Sequence, residues 1–233
     1  MRGLFVVGTD TGVGKTEVAC ALLSLLAARG LHPRALKPIE TGCSPDHPED
    51  ALALRAASGS PNDALTLDRV CPFRYQIPAA PLVAAEAEGR TVDPHVIDAC
   101  VQAAQEAQEP LIVEAAGGLL VPLWREAGRV ETNLDLAVRL GFPTLLVARA
   151  GLGTINHCAL SLQALAAQGV KVVAVVLNRT TAPDDVSVGS NARVIAEMTG
   201  VRVVGPGPYA EDQAGRRSAL MRLLTPPLDS LVS

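Results

Sequence analysis

The sequence contains few aromatic residues: Phe, Trp and Tyr together make up 3% of its 233 residues. A hydrophobic core must therefore be built from Ala, Val and Leu, and the apolar fraction of 48% is large enough for a sizeable one. Charged residues make up only 19%, and this composition excludes wholesale disorder. The length suits one large domain, because domains of roughly 100–200 residues are usual.

A basic excess is also absent, since the formal net charge is −4. This argues against a nucleic-acid-binding surface, which normally carries clustered Lys and Arg. No apolar run approaches the ~20 residues of a membrane span. The first residues carry one Arg and lead directly into an apolar run, unlike a signal peptide. We therefore expect a cytoplasmic protein with neither nucleic acid nor membrane as a partner.

Cysteine and histidine patterns typical of metal or disulfide frameworks are missing. The five cysteines include no CxxC pair, and the four histidines form no HxxxH or HExxH pattern. Scattered cysteines in odd number indicate reduced thiols rather than disulfides or a zinc site.

The first seventeen residues, MRGLFVVGTDTGVGKTE, contain the most informative pattern. An apolar run over residues 4–7 predicts a strand, a glycine-containing turn follows, and residues 18–28 predict a helix. In this order Lys15 would reach the β- and γ-phosphates of a nucleotide, and Thr16 would ligate Mg²⁺. The alternative is a glycine-rich turn with an incidental lysine, which the GKT triplet in this context disfavours. Thr9 stands where the strict phosphate-loop pattern has Gly, so the loop is a variant.

Two further predicted strands end in a charged residue. Lys37 ends the short strand at residues 34–37, and Glu114 ends the apolar strand at residues 111–114, before Ala115, Ala116, Gly117 and Gly118. A carboxylate at such a strand tip suits Mg²⁺ and phosphates. Taken singly, Lys37 could be a solvated surface lysine and Glu114 a loop carboxylate. Asp50, in the first turn of another predicted helix, could serve only as a favourable helix charge.

Predicted strands and helices alternate along the whole chain. This pattern predicts an α/β fold: a single domain over residues 1–233, with one doubly wound, mainly parallel sheet and helices on both faces. Thr132 and Asp135 predict a helix start of capping-box type, and the chain after about residue 223 is expected to be a loose end. The carboxyl ends of parallel strands share one edge, so Lys15, Thr16, Lys37, Glu114, Gly153 and Asn178 can converge there.

The motifs GTDTGVGKT, KPIETG, EDALAL, VEAAGG followed by LLVPL, and GLGTINH together resemble the motif series of dethiobiotin synthetases. With Asn178 and the turn at residues 205–209, the resemblance covers nearly the whole chain. It implies the phosphate-loop NTPase type of fold. It also separates the chain from partition and septum-site ATPases, whose loop has a second lysine where Asp10 stands.

The resemblance implies a role for each matching residue. Thr16, Asp50 and Glu114 would hold Mg²⁺ or its waters, and Lys15 and Lys37 would be catalytic. The residues expected to bind ATP are Gly12, Val13, Gly14, Lys15, Thr16, Glu17, Asp50, Glu114, Ala115, Ala116, Gly117, Asn178, Arg179, Pro208, Tyr209, Ala210 and Glu211. The residues expected to bind the other substrate are Thr41, Gly118, Thr154, Ile155 and Asn156. The last three would receive its distal carboxylate at a helix N-terminus, across the interface of a homodimer.

The reaction implied by the resemblance joins 7,8-diaminopelargonate and CO₂ with ATP in biotin biosynthesis. A carbamate forms, ATP phosphorylates it to a carbamic-phosphoric anhydride, and ring closure releases dethiobiotin and phosphate. Such phosphoryl transfer needs positioning and charge stabilisation rather than a covalent protein nucleophile. Ala115 stands where relatives usually have Gly, and we expect an ordinary backbone conformation there.

The sequence disfavours two other functions. A related amide-forming ligase of the cobyrinate amidotransferase type would normally bring a glutaminase domain, for which the chain has no room. A regulatory ATPase switch of the partition or septum-site type would carry the second loop lysine that is missing here.

Overall fold

The computed structural model describes residues 3–59, 66–179, 186–207 and 212–232. The elements in chain order are β1 (Gly3–Gly8), α1 (Lys15–Ala28), β2 (Arg34–Leu36), β3 (Ile39–Thr41), α2 (Glu49–Ala57), α3 (Leu67–Val70), β4 (Phe73–Tyr75), α4 (Pro81–Ala87), α5 (Pro94–Glu106), β5 (Leu111–Gly118), β6 (Pro122–Glu126), β7 (Arg129–Thr132), α6 (Asn133–Leu140), β8 (Thr144–Arg149), α7 (Thr154–Ala167), β9 (Val172–Asn178), α8 (Val188–Thr199), β10 (Val203–Val204) and α9 (Gln213–Val232).

The central sheet of the described chain has the strand order β10-β9-β8-β1-β5-β2. Its neighbouring strands all pair in parallel. Strand order reverses direction around β1, and helices connect the strands across both faces, which is the doubly wound arrangement. The predicted fold class is therefore confirmed.

Strand β1 is buried on both of its faces. Phe5 and Val7 belong to the apolar cluster on one side of the sheet, and Leu4 and Val6 belong to the cluster on the other side. Successive side chains of a strand point to opposite faces, so this continuous apolar run contributes to both layers. Burial of β1 fixes the position of the glycine loop that follows it.

Two small sheets lie outside the central sheet and were not predicted. β3 pairs in parallel with β4, and β6 pairs with β7 as an antiparallel hairpin. Strands of three residues, such as β3 and β4, are too short to show a hydrophobic period. Pro122, the first residue of β6, further weakened the strand pattern.

Helix α6 begins with the capping box that the sequence predicted. The backbone N–H of Thr132 donates to Asp135 Oδ2 over 2.8 Å, and the Thr132 hydroxyl accepts from the Asp135 N–H. Two N–H groups that the first helical turn leaves unpaired are thereby satisfied.

The chain after residue 223 differs from the loose end expected for it. Helix α9 continues to Val232, and Leu220 and Leu224 are buried in the cluster that also contains residues of α1. Arg216 Nε donates to Glu17 Oε1 of α1 over 2.7 Å. Pro226 and Pro227 disfavour a helix here, but apolar packing against α1 outweighs their low helix propensity. In the described residues, no helix is both long and apolar enough to cross a membrane.

Leu224→Ala tests whether α9 is docked. Leu224 is 1% exposed, so truncation should lower the free energy of unfolding by about 2–5 kcal/mol. Leu120→Ala is the control, because Leu120 is 64% exposed and its loss should change stability by about 0.5 kcal/mol or less. Urea unfolding measures both, and equal midpoints would contradict the docking.

Candidate active site

A cavity of about 570 Å³ opens where β1, β2 and β5 end. Its volume lies in the range usual for small-molecule sites. The sequence-predicted residues that line it are Gly12, Gly14, Lys15, Thr16, Lys37, Thr41, Asp50, Glu114, Ala116 and Gly117. Lining residues that were not predicted are Thr11, Ile39, Glu40, Val121 and the segment of residues 78–81.

The glycine loop requires its glycine at position 14. Gly14 precedes α1 with φ +88°, and a Cβ there would lie 2.0 Å from Asn178 Nδ2. The same Asn178 amide donates to Val13 O over 3.2 Å, which joins the end of β9 to the loop. The loop backbone thus leads into the α1 N-terminus, where free N–H groups favour an anion.

Lys15 lies over the loop, and its Nζ donates to Asp10 O over 3.1 Å. Burial lowers the pKa of Lys15 to about 8 from its ordinary value of 10.5; the Lys37 charge adds to the decrease, and Glu114 and Asp50 oppose it. Burial disfavours the charged ammonium, so a negatively charged group nearby, such as a phosphate, would stabilise it.

Lys37 lies between two carboxylates. Its Nζ donates to Asp50 Oδ2 over 2.5 Å and to Glu114 Oε1 over 2.6 Å, and the residue is 4% exposed. Burial alone would lower the pKa of Lys37, but the charges of Glu114 and Asp50 outweigh it and raise that pKa. Burial alone would likewise raise the pKa of Asp50, but the Lys37 ammonium and hydrogen bonds from Lys37 and Thr16 lower it.

The three residues expected to hold Mg²⁺ lie together. Thr16 Oγ1 donates to Glu114 Oε1 over 2.9 Å, and Asp50 reaches the same carboxylate through Lys37. Glu114 Oε2 is buried and has no hydrogen-bond partner within the described ranges. Mg²⁺ usually takes one or two carboxylates and completes its shell with water and phosphate oxygens, so this donor set fits it. No three acidic, His or Cys side chains of the described chain form a metal cluster.

Glu40 is a buried acid of the site that the sequence interpretation missed. Its Oε1 accepts from the N–H of Asp50 over 3.1 Å, and its Oε2 accepts from the N–H of Ala51 over 2.9 Å. Burial raises the pKa of Glu40, against the opposing effects of these N–H groups and of Lys37. Glu40 lies in β3, within the motif KPIETG, and this three-residue strand is too short to show the pattern of a strand.

The end of β5 is held by Asn133 of α6. Asn133 Nδ2 donates to Ala116 O and to Gly118 O, each over 2.7 Å, and the residue is fully buried. Gly117 between them has φ +72° and lies beside Thr11. Ala115 is not among the residues with positive φ, so the ordinary conformation expected there is confirmed. Asn133 was also missed, because a polar residue at a helix start suggests only a cap.

Several predicted residues do not line this cavity. Thr154 is buried at the start of α7 beside Cys158, whereas Asn156 is exposed. Glu17 lies behind the loop, where its carboxylate accepts from Asn178 Nδ2 over 3.4 Å as well as from Arg216. Val13, Ala115, Gly118 and the half-buried Arg179 lie nearby in sequence but are not lining residues. Pro208, Tyr209, Ala210 and Glu211 fall outside the described residues.

Comparison with known proteins decides the family. A family model described as an AAA domain matches residues 2–216. An ATP-dependent dethiobiotin synthetase BioD of Anaeromyxobacter dehalogenans (strain 2CP-C) is 46% identical over 96% of this chain and 97% of its own. The chain belongs to the ATP-dependent dethiobiotin synthetase family. The synthetase of Anaeromyxobacter sp. (strain Fw109-5) is 47% identical, over 94% of this chain and 96% of its own. The synthetase of Bacillus licheniformis is 37% identical, over 91% and 88% respectively.

Solved structures show how widely the fold of this synthetase family is shared. The MinC:MinD cell division protein complex of Aquifex aeolicus matches with a TM-score of 0.58 at 13% identity, over 97% of this chain and 96% of that one. Apo McdA of Cyanthece matches with a TM-score of 0.56 at 10% identity, over 97% and 98%. At such low identity the likeness concerns the fold alone.

As expected of an ATP-dependent synthetase, nucleotide binding should depend on the protonation of Lys15. Its pKa of about 8 means that the free protein loses this charge above pH 8, whereas bound phosphates favour the charged form. ATP binding should therefore take up a proton above pH 8 and weaken by up to about tenfold per pH unit. Calorimetric titration from pH 7 to pH 9.5 measures this.

The control for this pH dependence is Lys15→Arg, whose guanidinium stays charged throughout the range. The variant should bind ATP with a flat pH profile above pH 8. Parallel profiles for the two proteins would show that another group titrates.

Proposed function

We infer that the protein is an ATP-dependent ligase that makes dethiobiotin from 7,8-diaminopelargonate and CO₂, releasing ADP and phosphate. Its membership in the synthetase family supports this activity. The structural observation that carries it is the buried Lys37 ammonium beside Asp50 and Glu114, in the same cavity as Lys15. Two lysines and two acids at a phosphate loop suit the transfer of a phosphoryl group to an anionic acceptor.

The first step forms a carbamate. An unprotonated amine of the diamine attacks the carbon of CO₂, a C–N bond forms, and one C=O electron pair moves onto oxygen. The nitrogen then loses a proton to solvent. Lys37 and Thr41 line the same cavity, and Lys37 stabilises the new carboxylate charge. The Thr41 hydroxyl on the cavity wall orients the diamine.

The second step transfers the γ-phosphoryl group of ATP. A carbamate oxygen attacks the γ-phosphorus, the bond to the β–γ bridging oxygen breaks, and ADP leaves. Lys15 and the N–H groups of Gly12, Val13 and Gly14 hold the β- and γ-phosphates, and Lys37 balances charge on the acceptor side. Thr16, Asp50 and Glu114 would hold Mg²⁺, which when bound neutralises phosphate charge.

The third step closes the ureido ring. The second amine attacks the carbonyl carbon of the carbamic-phosphoric anhydride, a second C–N bond forms, and the C–O bond to phosphate breaks. Lys15 and Lys37 stabilise the leaving phosphate, and the attacking nitrogen loses its proton. The protein needs to orient the two reacting groups rather than supply a nucleophile of its own.

Recognition of the nucleotide base is assigned to Asn178, Arg179 and residues 208–211. The end of β9 supports this, because Asn178 is bonded to the loop at Val13 and to Glu17 of α1. A base held beside Asn178 would be in fixed register with the phosphates held by the loop.

We further propose a cytoplasmic homodimer in which α7 of one protomer completes the site of the other. Thr154, Ile155 and Asn156 begin α7, yet they do not line the cavity of their own chain. The α7 N-terminus suits the distal carboxylate of the diamine. Leu152 and Leu160 are 79% and 59% exposed on and beside α7, as an apolar interface would require. Five free cysteines suit a reducing compartment.

The switch function has one observation in its favour, the fold shared with MinD-type and McdA structures. The sequence identity to those two structures is 13% and 10%, far below the 37–47% identity to the synthetases. A switch would hydrolyse ATP without the diamine, whereas a synthetase couples ADP formation to it.

Turnover separates the two functions. The protein is mixed with Mg-ATP, bicarbonate and 7,8-diaminopelargonate, and ADP and dethiobiotin are followed together. Equal amounts of both are expected, with ADP formation that depends on the diamine. ADP released at the same rate without the diamine would support the switch instead.

Lys37→Ala should abolish turnover, with a loss of at least about 10³-fold, because the charge beside the carbamate is removed. ATP binding should change little, since Lys15 and the loop hold the phosphates. Lys171→Ala is the control, as Lys171 is an exposed lysine directly before β9, at the edge of the parallel sheet opposite the site. Retained turnover in Lys37→Ala, or loss of ATP binding, would contradict the assignment.

Mixed dimers test the shared site. Asn156→Asp places a negative charge at the expected carboxylate site and should inactivate the protein, as should Lys37→Ala. Co-expression of the two variants should restore roughly a quarter of wild-type activity, because half the dimers are mixed and one of their two sites is intact. An inactive mixture would place both residues in one protomer's site.

A further inference from the structure

Helix α2 begins without a cap of its own. Pro48 occupies the N-cap position, and no side chain there accepts from the first turn. The first N–H groups of a helix lack partners within the helix, and a nearby Ser, Thr, Asp or Asn usually accepts from them. Here the acceptor comes from a different element, ten residues earlier in the chain.

Glu40 of β3 provides both acceptors. One carboxylate oxygen accepts from Asp50 and the other from Ala51, over 3.1 and 2.9 Å. Glu40 is 6% exposed and lies in the wall of the active-site cavity. Because both of its oxygens are engaged with backbone, the side chain is a fixed anchor rather than a free acid.

The anchored N–H belongs to Asp50 itself. The side chain of Asp50 accepts from Lys37 over 2.5 Å, and Lys37 also donates to Glu114. A displacement of the α2 N-terminus would therefore move Asp50 relative to both Lys37 and Glu114. Glu40 is the polar contact that ties this helix start to β3, the strand that also carries Thr41.

We propose that Glu40 is a positioning residue, which holds the Asp50 carboxylate in register with Lys37 and Glu114 so that the divalent cation site is preformed. The proposal rests on the proposed function for the identity of that site. Residues that orient a metal-binding carboxylate typically affect metal affinity by roughly 10- to 100-fold when removed.

An ordinary helix cap would make a different prediction. Loss of such a cap lowers stability but leaves the affinity of a distant site unchanged. Asp93 provides the comparison, because it caps α5 by accepting from the His95 N–H over 2.9 Å, on an exposed part of the chain. Asp93→Ala removes a cap of the same kind away from the cavity.

The experiment measures Mn²⁺ binding to the full-length protein with ADP, by the electron paramagnetic resonance signal of free Mn²⁺. Glu40→Ala should weaken Mn²⁺ binding roughly 10- to 100-fold, whereas Asp93→Ala should bind as the wild type does. Glu40→Gln, which keeps one acceptor oxygen and the shape, should fall between the two. It also serves if Glu40→Ala does not fold.

Kinetics add a second measurement. In the turnover assay, the Mg²⁺ concentration for half-maximal rate should rise in Glu40→Gln, while KM for the diamine stays near the wild-type value. Unchanged Mn²⁺ affinity in both Glu40 variants would overturn the positioning role. Failure of the wild type to turn over the diamine would instead contradict the proposed function. The failure of the positioning role and the failure of the proposed function are therefore distinguishable.

Discussion

The buried contact of Lys37 with Asp50 and Glu114 is the interaction on which the site depends. A lone ammonium or carboxylate so deeply buried would lose its charge, because desolvation disfavours the ionised form. Here the charges of Glu114 and Asp50 raise the pKa of Lys37 against the effect of its burial, and the Lys37 ammonium lowers the pKa of Asp50. The contact also joins the residue after β2, the start of α2 and the middle of β5. Removal of Lys37 would leave the buried Glu114 carboxylate without its cationic partner, which is destabilising.

The parallel sheet explains how distant residues reach this contact. β1, β5 and β2 are neighbours, so the glycine loop after β1 and Lys37 after β2 meet beside Glu114, which lies within β5 rather than at the strand tip expected for it. Supporting residues then come from outside the sheet: Glu40 from β3 and Asn133 from the start of α6.

Much of this architecture followed from the sequence, and the exceptions have physical causes. Continuous apolar runs predicted β1 and the first half of β5, because a strand buried on both faces needs them. Lys15, Thr16, Lys37 and Glu114 were identified as residues that could converge, and they line one cavity, whereas Gly153 and Asn178 were expected to converge with them but do not line it. Glu40 and Asn133 were missed because their roles depend on backbone groups 10–11 and 15–17 residues away, which local patterns do not reveal. The helix beyond residue 223 was not predicted, because prolines are poor helix formers and the sequence does not show that Leu224 packs against α1.

That contact has a consequence for how the protein is made. α9 covers one apolar side of α1, and its Arg216 pairs with Glu17 from 199 residues further along the chain. During translation this side of α1 must remain uncovered until α9 has also left the ribosome. Exposed apolar surface on an unfinished chain favours association with other chains. Until α9 docks, the helix that follows the phosphate loop therefore carries exposed apolar surface.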